Sequence, residues 1–373
     1  MNNHIAFSDT DWMRLERDWT AWWNHDLGRP LLMGATTAPA TRQLPSWWDG
    51  RQYSCIPTDV PVEAIAEQAW DELTRSTFHG DAWPKQWLNF GPGVAAAFLG
   101  GKLEPSARTT WFYPGKWASV PLADICPEFA ADEFWWRRIT ALTHAFRERF
   151  AGRAQVGFTD IGGGLDIAAS LRDTQQLLMD LLDDPDAVGE LAAAITPLWL
   201  RYYREQCDAI MPAGRGSSPW APIWSPQRCY MLQCDFSYMI SPKQFARWVV
   251  PDLTACCAEM EHAFYHLDGK GEIPHLDHLL AVPGLKGVQW ISGDGQPPSG
   301  DPTWWPLLRR IRDAGKLVQL YMPADCALRL AREVPLDGFA IWTQAEKGAD
   351  TAGLLSEIQR INAPLNCATM VTV

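Results

Sequence analysis

The chain alternates between short apolar runs that end in Gly, Asp or Pro and stretches whose apolar residues recur every three or four positions. The clearest runs are Gln155 to Thr159, Ala263 to Leu267, Gly287 to Ile291, Leu317 to Tyr321 and Gly338 to Trp342. Apolar runs this short read as strands, and the periodic stretches read as helices. Repeated alternation of the two is the pattern of parallel strands joined by crossover helices. Two helix starts are explicit. Asp184 and Pro185 form a cap and first turn ahead of Val188, Leu191, Ile195, Leu198 and Tyr202, and Ser241 and Pro242 do the same ahead of Phe245, Val249, Leu253 and Cys256. Pro251 then predicts a kink.

Over 373 residues this pattern predicts an α/β chain with an N-terminal extension. A (β/α)8 TIM barrel with insertions reaches this length as one domain, and the resemblance given below implies that fold. We expect residues 1–85, broken by GRP and LPSWWDG, to form an N-terminal segment packed on the barrel. Residues 86–373 are expected to form the barrel itself, with one structural domain overall. The interval Met211 to Met239, rich in Pro, Ser and Trp, is expected to rise above the barrel mouth and border the site.

Composition narrows the partners. A formal charge of -12 would repel a phosphate backbone, so nucleic acid is not expected. No apolar stretch is long enough to cross a bilayer, and the N-terminus has no basic start followed by an apolar run. Nine cysteines, with Cys256 and Cys257 adjacent, read as reduced thiols, and a cytoplasmic location is expected. The 21 tryptophans are read mostly as fillers between helices and barrel, with the remainder lining a pocket for a ring-shaped or cationic ligand.

Three segments together resemble the uroporphyrinogen decarboxylase superfamily, which includes corrinoid-dependent methyltransferases. They are VGFTDIGGGLDIAASLRDTQQLLMDLLDDPDAVGEL, then CDFSYMISPKQFARWVVPDL, then FYHLDGKG followed by LKGVQWISGDG. The resemblance spans roughly residues 85–350 in the family's order and implies a uroporphyrinogen decarboxylase-like barrel. It also implies a small-molecule substrate, a corrinoid protein as partner and a divalent metal, zinc, as cofactor. The methyltransferase branch holds zinc through a His-x-Cys pair and a later Cys. Here the matching pair is His266 and Asp268, and Thr343 and Gln344 stand where the later Cys would be. A metal would therefore be held by His266 with oxygen ligands, Asp268 first among them. The arginine-rich motif of the decarboxylase branch has no counterpart in residues 1–60, so porphyrin decarboxylation is not expected.

His266 and Asp268 lie two apart on one strand and share a face. They can serve as an acid and base pair or as metal ligands, or they can simply close the strand as a hydrogen-bonded pair. Asp160, before Gly162, Gly163 and Gly164, and Asp235, in the acidic turn, complete the catalytic candidates. The three glycines lack P-loop or GxGxxG spacing and read as a tight turn needing positive φ. Trp290, Asp294, Gln319, Tyr321, Trp342 and Gln344, with Glu346 beyond them, are candidate substrate contacts by position near strand ends. His275, Asp277 and His278 form HLDH, a weak metal motif that reads as a solvated helix start.

Two enzymatic readings follow. The first is a methyltransferase or demethylase acting on a small methylated compound with a corrinoid protein. The second is a lyase or hydrolase acting on a carbohydrate-like substrate by carboxylate acid and base chemistry in a Trp-lined cleft. A binding protein that keeps the barrel without the chemistry is the third.

Overall fold

The computed structural model describes residues 4–50, 52–106, 109–344 and 350–370, apart from the side chains of 344, 364 and 366–370. Glu346 and the side chain of Gln344 thus lie outside the described residues. In chain order the strands are β1 (Leu31–Thr37), β2 (Ser76–Gly80), β3 (Lys85–Trp87), β4 (Lys102–Pro105), β5 (Thr110–Tyr113) and β6 (Gln155–Gly157), followed by β7 (Cys229–Gln233), β8 (His262–Asp268), β9 (Leu285–Ile291), β10 (Leu317–Pro323) and β11 (Phe339–Gln344). Seven of them form one sheet in the order β2-β1-β11-β10-β9-β8-β7. Every neighbouring pair in it is parallel except β1 with β2. A second parallel pair joins β3 to β6, and β4 with β5 makes an antiparallel hairpin. The fold is mixed α/β on a parallel sheet, and all five strands expected from the sequence are present.

Two helix starts behave as their residues dictate. The Asp184 side chain accepts from Ala187 N at the head of the helix Pro185–Ile210, and Ser241 with Gln244 forms a reciprocal capping box. The kink expected at Pro251 is resolved differently. A π-turn over Phe245–Val249 ends one helix, and Val250–Cys257 starts another with Pro251 in its first turn, where a missing N–H costs nothing.

One face of the sheet changes character from bottom to top. Side chains two apart along a strand share a face, so register aligns them into layers. Phe264, Gly287 and Leu317 lie side by side at the bottom, then His266, Gln289, Gln319 and Ala340, then Tyr321 and Trp342. The bottom layer is sealed by the helix Asp9–Trp23, whose Trp12, Trp19, Trp22 and Trp23 pack with Leu31, Met33, Met231, Phe264 and Leu317. Several of the tryptophans are therefore a plug. The seal holds at some polar cost: Trp23 Nε1 donates to Trp224 O (2.9 Å), while Trp12, Trp19 and Trp22 find no indole partner among the described residues. Arg29 anchors this helix to β1 by a two-pronged bond to Asp81 (2.8 Å each) and a third contact to Asp18 (2.9 Å). Thus β1 and its plug, inside the stretch expected as a packed-on segment, belong to the sheet.

The 211–239 interval borders the site as expected, through Trp220 and Asp235, but much of it is packed inside: Ser217, Ser218, Ala221, Ile223 and Ser225 are fully buried, and it contains β7, a strand that the Pro, Ser and Trp content concealed. Phe158 N donates to Ser218 O (2.9 Å), so this segment borders β6 where a neighbouring strand would otherwise pair.

Gly287 is the tightest point of the bottom layer. A Cβ there would come within 2.1 Å of the Phe264 ring and 2.6 Å of Leu317 O. Gly287→Ala should destabilise the protein by about 1–3 kcal/mol through overpacking. A denaturant titration would show this as a lower midpoint, and an unchanged midpoint would disprove the packing account.

Candidate functional site

The polar layer sets the tautomer of one histidine. Gln319 Nε2 donates to Leu320 O (3.0 Å), a backbone carbonyl that can only accept. Gln319 must therefore present Oε1 to Gln289, whose Nε2 donates to it. That leaves Gln289 Oε1 facing His266 Nδ1, which must carry the proton. In the neutral ring, Nε2 is then a free lone pair. The same device orients histidines that bind metals.

Two carboxylates face that lone pair. One ligand atom each from Asp235, His266 and Asp268 lies within 4.8 Å of the others, and His266 Nε2 is 3.9 Å from Asp268 Oδ2. Three acceptors converging in this way could hold a cation, either a proton or a metal ion. One imidazole and two carboxylates suit a divalent ion of hard to intermediate character, and the donor set contains no thiolate.

The turn that delivers Asp235 is built by Asp166, which accepts from Asp235 N (3.1 Å) and Phe236 N (2.8 Å). Asp166 opens the helix Gly164–Arg172 after the glycine run. Those glycines serve close approach: a Cβ on Gly163 would sit 2.0 Å from Gln233 O, and Gly162 has φ +77°. Asp160 is buried, accepts from Gly162 N (2.8 Å) and has its pKa raised from 3.8 to about 7, chiefly by burial and then by Asp235. Burial also pushes Asp166 and Glu272 well above the carboxylate range and raises Asp235. Glu272 Oε2 accepts from Asp268 N (3.3 Å), which ties this buried acid to the end of β8.

Two adjoining cavities lie near this cluster. One, about 260 Å³, is lined by Asp160, Asp235 and His266 together with Gln52, Asn89, Thr109 and Gln233. The other, about 310 Å³, is walled by Trp83, Trp87, Trp220, Tyr321 and Trp342. Trp87 and Trp220 line both. Trp220 meets the His266 ring edge-on at 5.0 Å.

The sequence candidates divide accordingly. Asp160, Asp235, His266 and Asp268 come together. Tyr321 and Trp342 line the aromatic cavity. Gln319 is buried and acts on His266 through Gln289, so its place is behind the site. Trp290 lies on the opposite side of β9, fully buried against Trp304 (5.0 Å), and we assign it to the core. Asp294 is exposed in the loop after β9 and lines neither cavity. In HLDH, His275 is not solvated: it is buried, donates through Nε2 to Ser237 O (2.9 Å) and stacks on Phe245. Thr343, at the position of the missing Cys, is buried in β11. Gln289, Asp166, Glu272, Trp87 and Trp220 were not foreseen. A glutamine inside each of the apolar runs LKGVQWI and LVQLY was the available signal for the first, since a buried amide must be hydrogen-bonded.

No protein-family model matches the chain, and no curated protein matches it. Among solved structures it is similar to a methyltransferase from Methanosarcina mazei, at a TM-score of 0.52 and 11% identity, covering 75% of this chain and 80% of that one. At that identity the likeness is one of fold. Among the described residues, no helix is long and apolar enough to cross a membrane, and the eight described cysteines are free thiols.

Two outcomes follow from this geometry. Protein purified without chelator should carry a divalent metal by elemental analysis, lost in His266→Ala and Asp235→Asn and reduced about 10- to 100-fold in affinity in Gln289→Leu. A Gln289→Leu protein that binds metal like wild type would refute the tautomer argument. The second concerns pH. In metal-free protein the folded state keeps a proton on Asp160 that the unfolded chain releases, so its contribution to stability falls as pH rises from about 4 to 7. The loss is up to about 1.4 kcal/mol per pH unit. Asp160→Asn should flatten the stability-against-pH curve in that window. An unaltered slope would mean that Asp160 ionises normally.

Proposed function

We propose that the chain is a methyltransferase or demethylase-type enzyme acting on a small methylated compound, with a corrinoid protein as methyl acceptor. In this reading β1, β3, β6, β7, β8, β9, β10 and β11 close into a uroporphyrinogen decarboxylase-like (β/α)8 barrel. Residues 1–85 pack within the same single domain, and the protein works in the cytoplasm. The observation that carries the reading is the convergence of Asp235, His266 and Asp268 at the strand ends. Strand ends of this kind are where barrel enzymes build their sites. The fold likeness to the Methanosarcina mazei methyltransferase supports it.

His266 Nε2 and the two carboxylates would hold a divalent metal, which supplies Lewis-acid polarisation of a substrate oxygen when bound. The remaining chemistry belongs to the chain's own side chains. Asp160, protonated up to about pH 7, lines the same cavity and returns a proton to the heteroatom that loses its methyl group. Trp87 and Trp220 wall that cavity, which shields the reacting centre from water. Gln319 and Gln289 keep His266 from rotating out of line.

Oxygen donors in place of the thiolates of the related zinc site fit an oxygen-bound methyl group better than a thiol acceptor. The test is transfer of methyl to cob(I)alamin from a panel of O-methyl and N-methyl compounds, read by the cobalt absorbance change. An O-methyl compound should react, with His266→Ala slowed about 100-fold or more. Equal rates for wild type and His266→Ala, or no transfer from any compound, would eliminate this function.

A further inference from the structure

We propose that the substrate of this site is a polyhydroxylated ring, a sugar or cyclitol carrying an O-methyl group, seated in the cavity beside Trp220. Only the methyl group rests on the methyl-transfer reading; the ring is argued from the cavity lining.

Among the described residues, the cavity beside His266 is lined by polar side chains, carboxylates and two tryptophans, with no lysine or arginine. Its neutral groups are the kind that pair with hydroxyls. Gln233 is buried, and its Oε1 has no partner among the described residues. Gln52 spends its Nε2 on Thr110 Oγ1 (2.5 Å), leaving its Oε1 as acceptor. Asp160, with its proton, both donates and accepts. A lining that mixes acceptors with donors is matched by groups that do both, and hydroxyl is the simplest of these.

The apolar part of the lining fits the same ligand. Trp87 and Trp220 stand 6.4 Å apart, tilted by 41°, on the boundary with the aromatic cavity. A saturated ring offers C–H bonds to an indole face and hydroxyls at its rim, which the neighbouring amides and carboxylates receive.

Two other ligand classes fit less well. A flat hydrocarbon ring would leave Gln233 Oε1, which has no partner among the described residues, facing carbon. A quaternary ammonium would enter an aromatic cavity that already contains the Lys85 ammonium, 5.6 Å from the Trp83 ring.

The proposal is tested by calorimetric titration of the full-length protein with D-glucose, myo-inositol, their O-methyl ethers, anisole and tetramethylammonium, with and without added metal. At least one hydroxylated ring should bind saturably. Its affinity should fall about tenfold in Gln233→Leu and in Trp220→Leu, and also fall in the milder Thr109→Val, whose melting temperature should match wild type. Binding is read without turnover, so saturable sugar or cyclitol binding by a protein inert in methyl transfer would overturn the function above and leave this inference standing. Failure of every hydroxylated ring to bind overturns the inference, as does preferential binding of anisole or tetramethylammonium. Wild-type affinity in all three variants also overturns it.

Discussion

The Lys85 side chain is the constraint on which the site depends. It sits on β3, and its Nζ donates to Ser218 Oγ (2.9 Å), Pro219 O (2.8 Å) and Ala221 O (2.8 Å). Burial pushes its pKa down to about 7, but three oxygen acceptors need three N–H donors, which only the ammonium form supplies. The two effects oppose each other, and the geometry favours the cation. Its three bonds pin the 217–221 backbone beside β3 and β6. Trp220 lies inside that pinned stretch, so the wall between the two cavities is set by a lysine that faces neither His266 nor the carboxylates.

Near that wall the protein gathers several acids. Asp160 and Glu272 are buried and Asp166 half-buried, and each is pushed toward its protonated form, with desolvation the leading cause. Three neutral acids can donate hydrogen bonds as well as accept them, which removes much of the repulsion that three carboxylates would create. Asp235 and Asp268 are more accessible to solvent and stand beside His266. Asp160 and Asp235 line the cavity, while Asp166 and Glu272 hold the backbone of Asp235 and Asp268 from behind.

Much of this architecture was legible in the sequence, for identifiable reasons. Strands such as Leu317–Pro323 declare themselves because both faces are largely buried and the run is apolar apart from Gln319. Helix starts at Asp184 and Ser241 are legible because caps are local chemistry. β7 was hidden because its run, CYMLQ, follows a stretch of Pro, Ser and Trp whose burial comes from tertiary contacts, Lys85 among them. His266 and Asp268 could be paired by strand periodicity alone, whereas bringing Asp235 to them required the turn held by Asp166, 69 residues away. Trp290 and Trp342 looked alike in sequence, but one residue of register separates a core face from a cavity face. Trp290 follows Gln289 onto the helix side, and Trp342 aligns with Tyr321.

The layering of the inner face explains why this site can differ chemically from a thiolate centre without a different fold. The bottom layer is sealed by tryptophans and needs no polar group. The middle layer holds a chain of amides whose donor and acceptor order is fixed from one end by Leu320 O. That chain keeps the proton on Nδ1 and turns Nε2 outward, whatever residue stands two positions further along β8. Asp268 therefore sets the softness of the donor set without taking part in the amide chain that orients the histidine. A hard oxygen donor paired with a fixed nitrogen lone pair favours metal ions that polarise oxygen over those that activate sulfur. Packing is least tolerant at the bottom layer, where a Cβ on Gly287 would meet the Phe264 ring and Leu317 O.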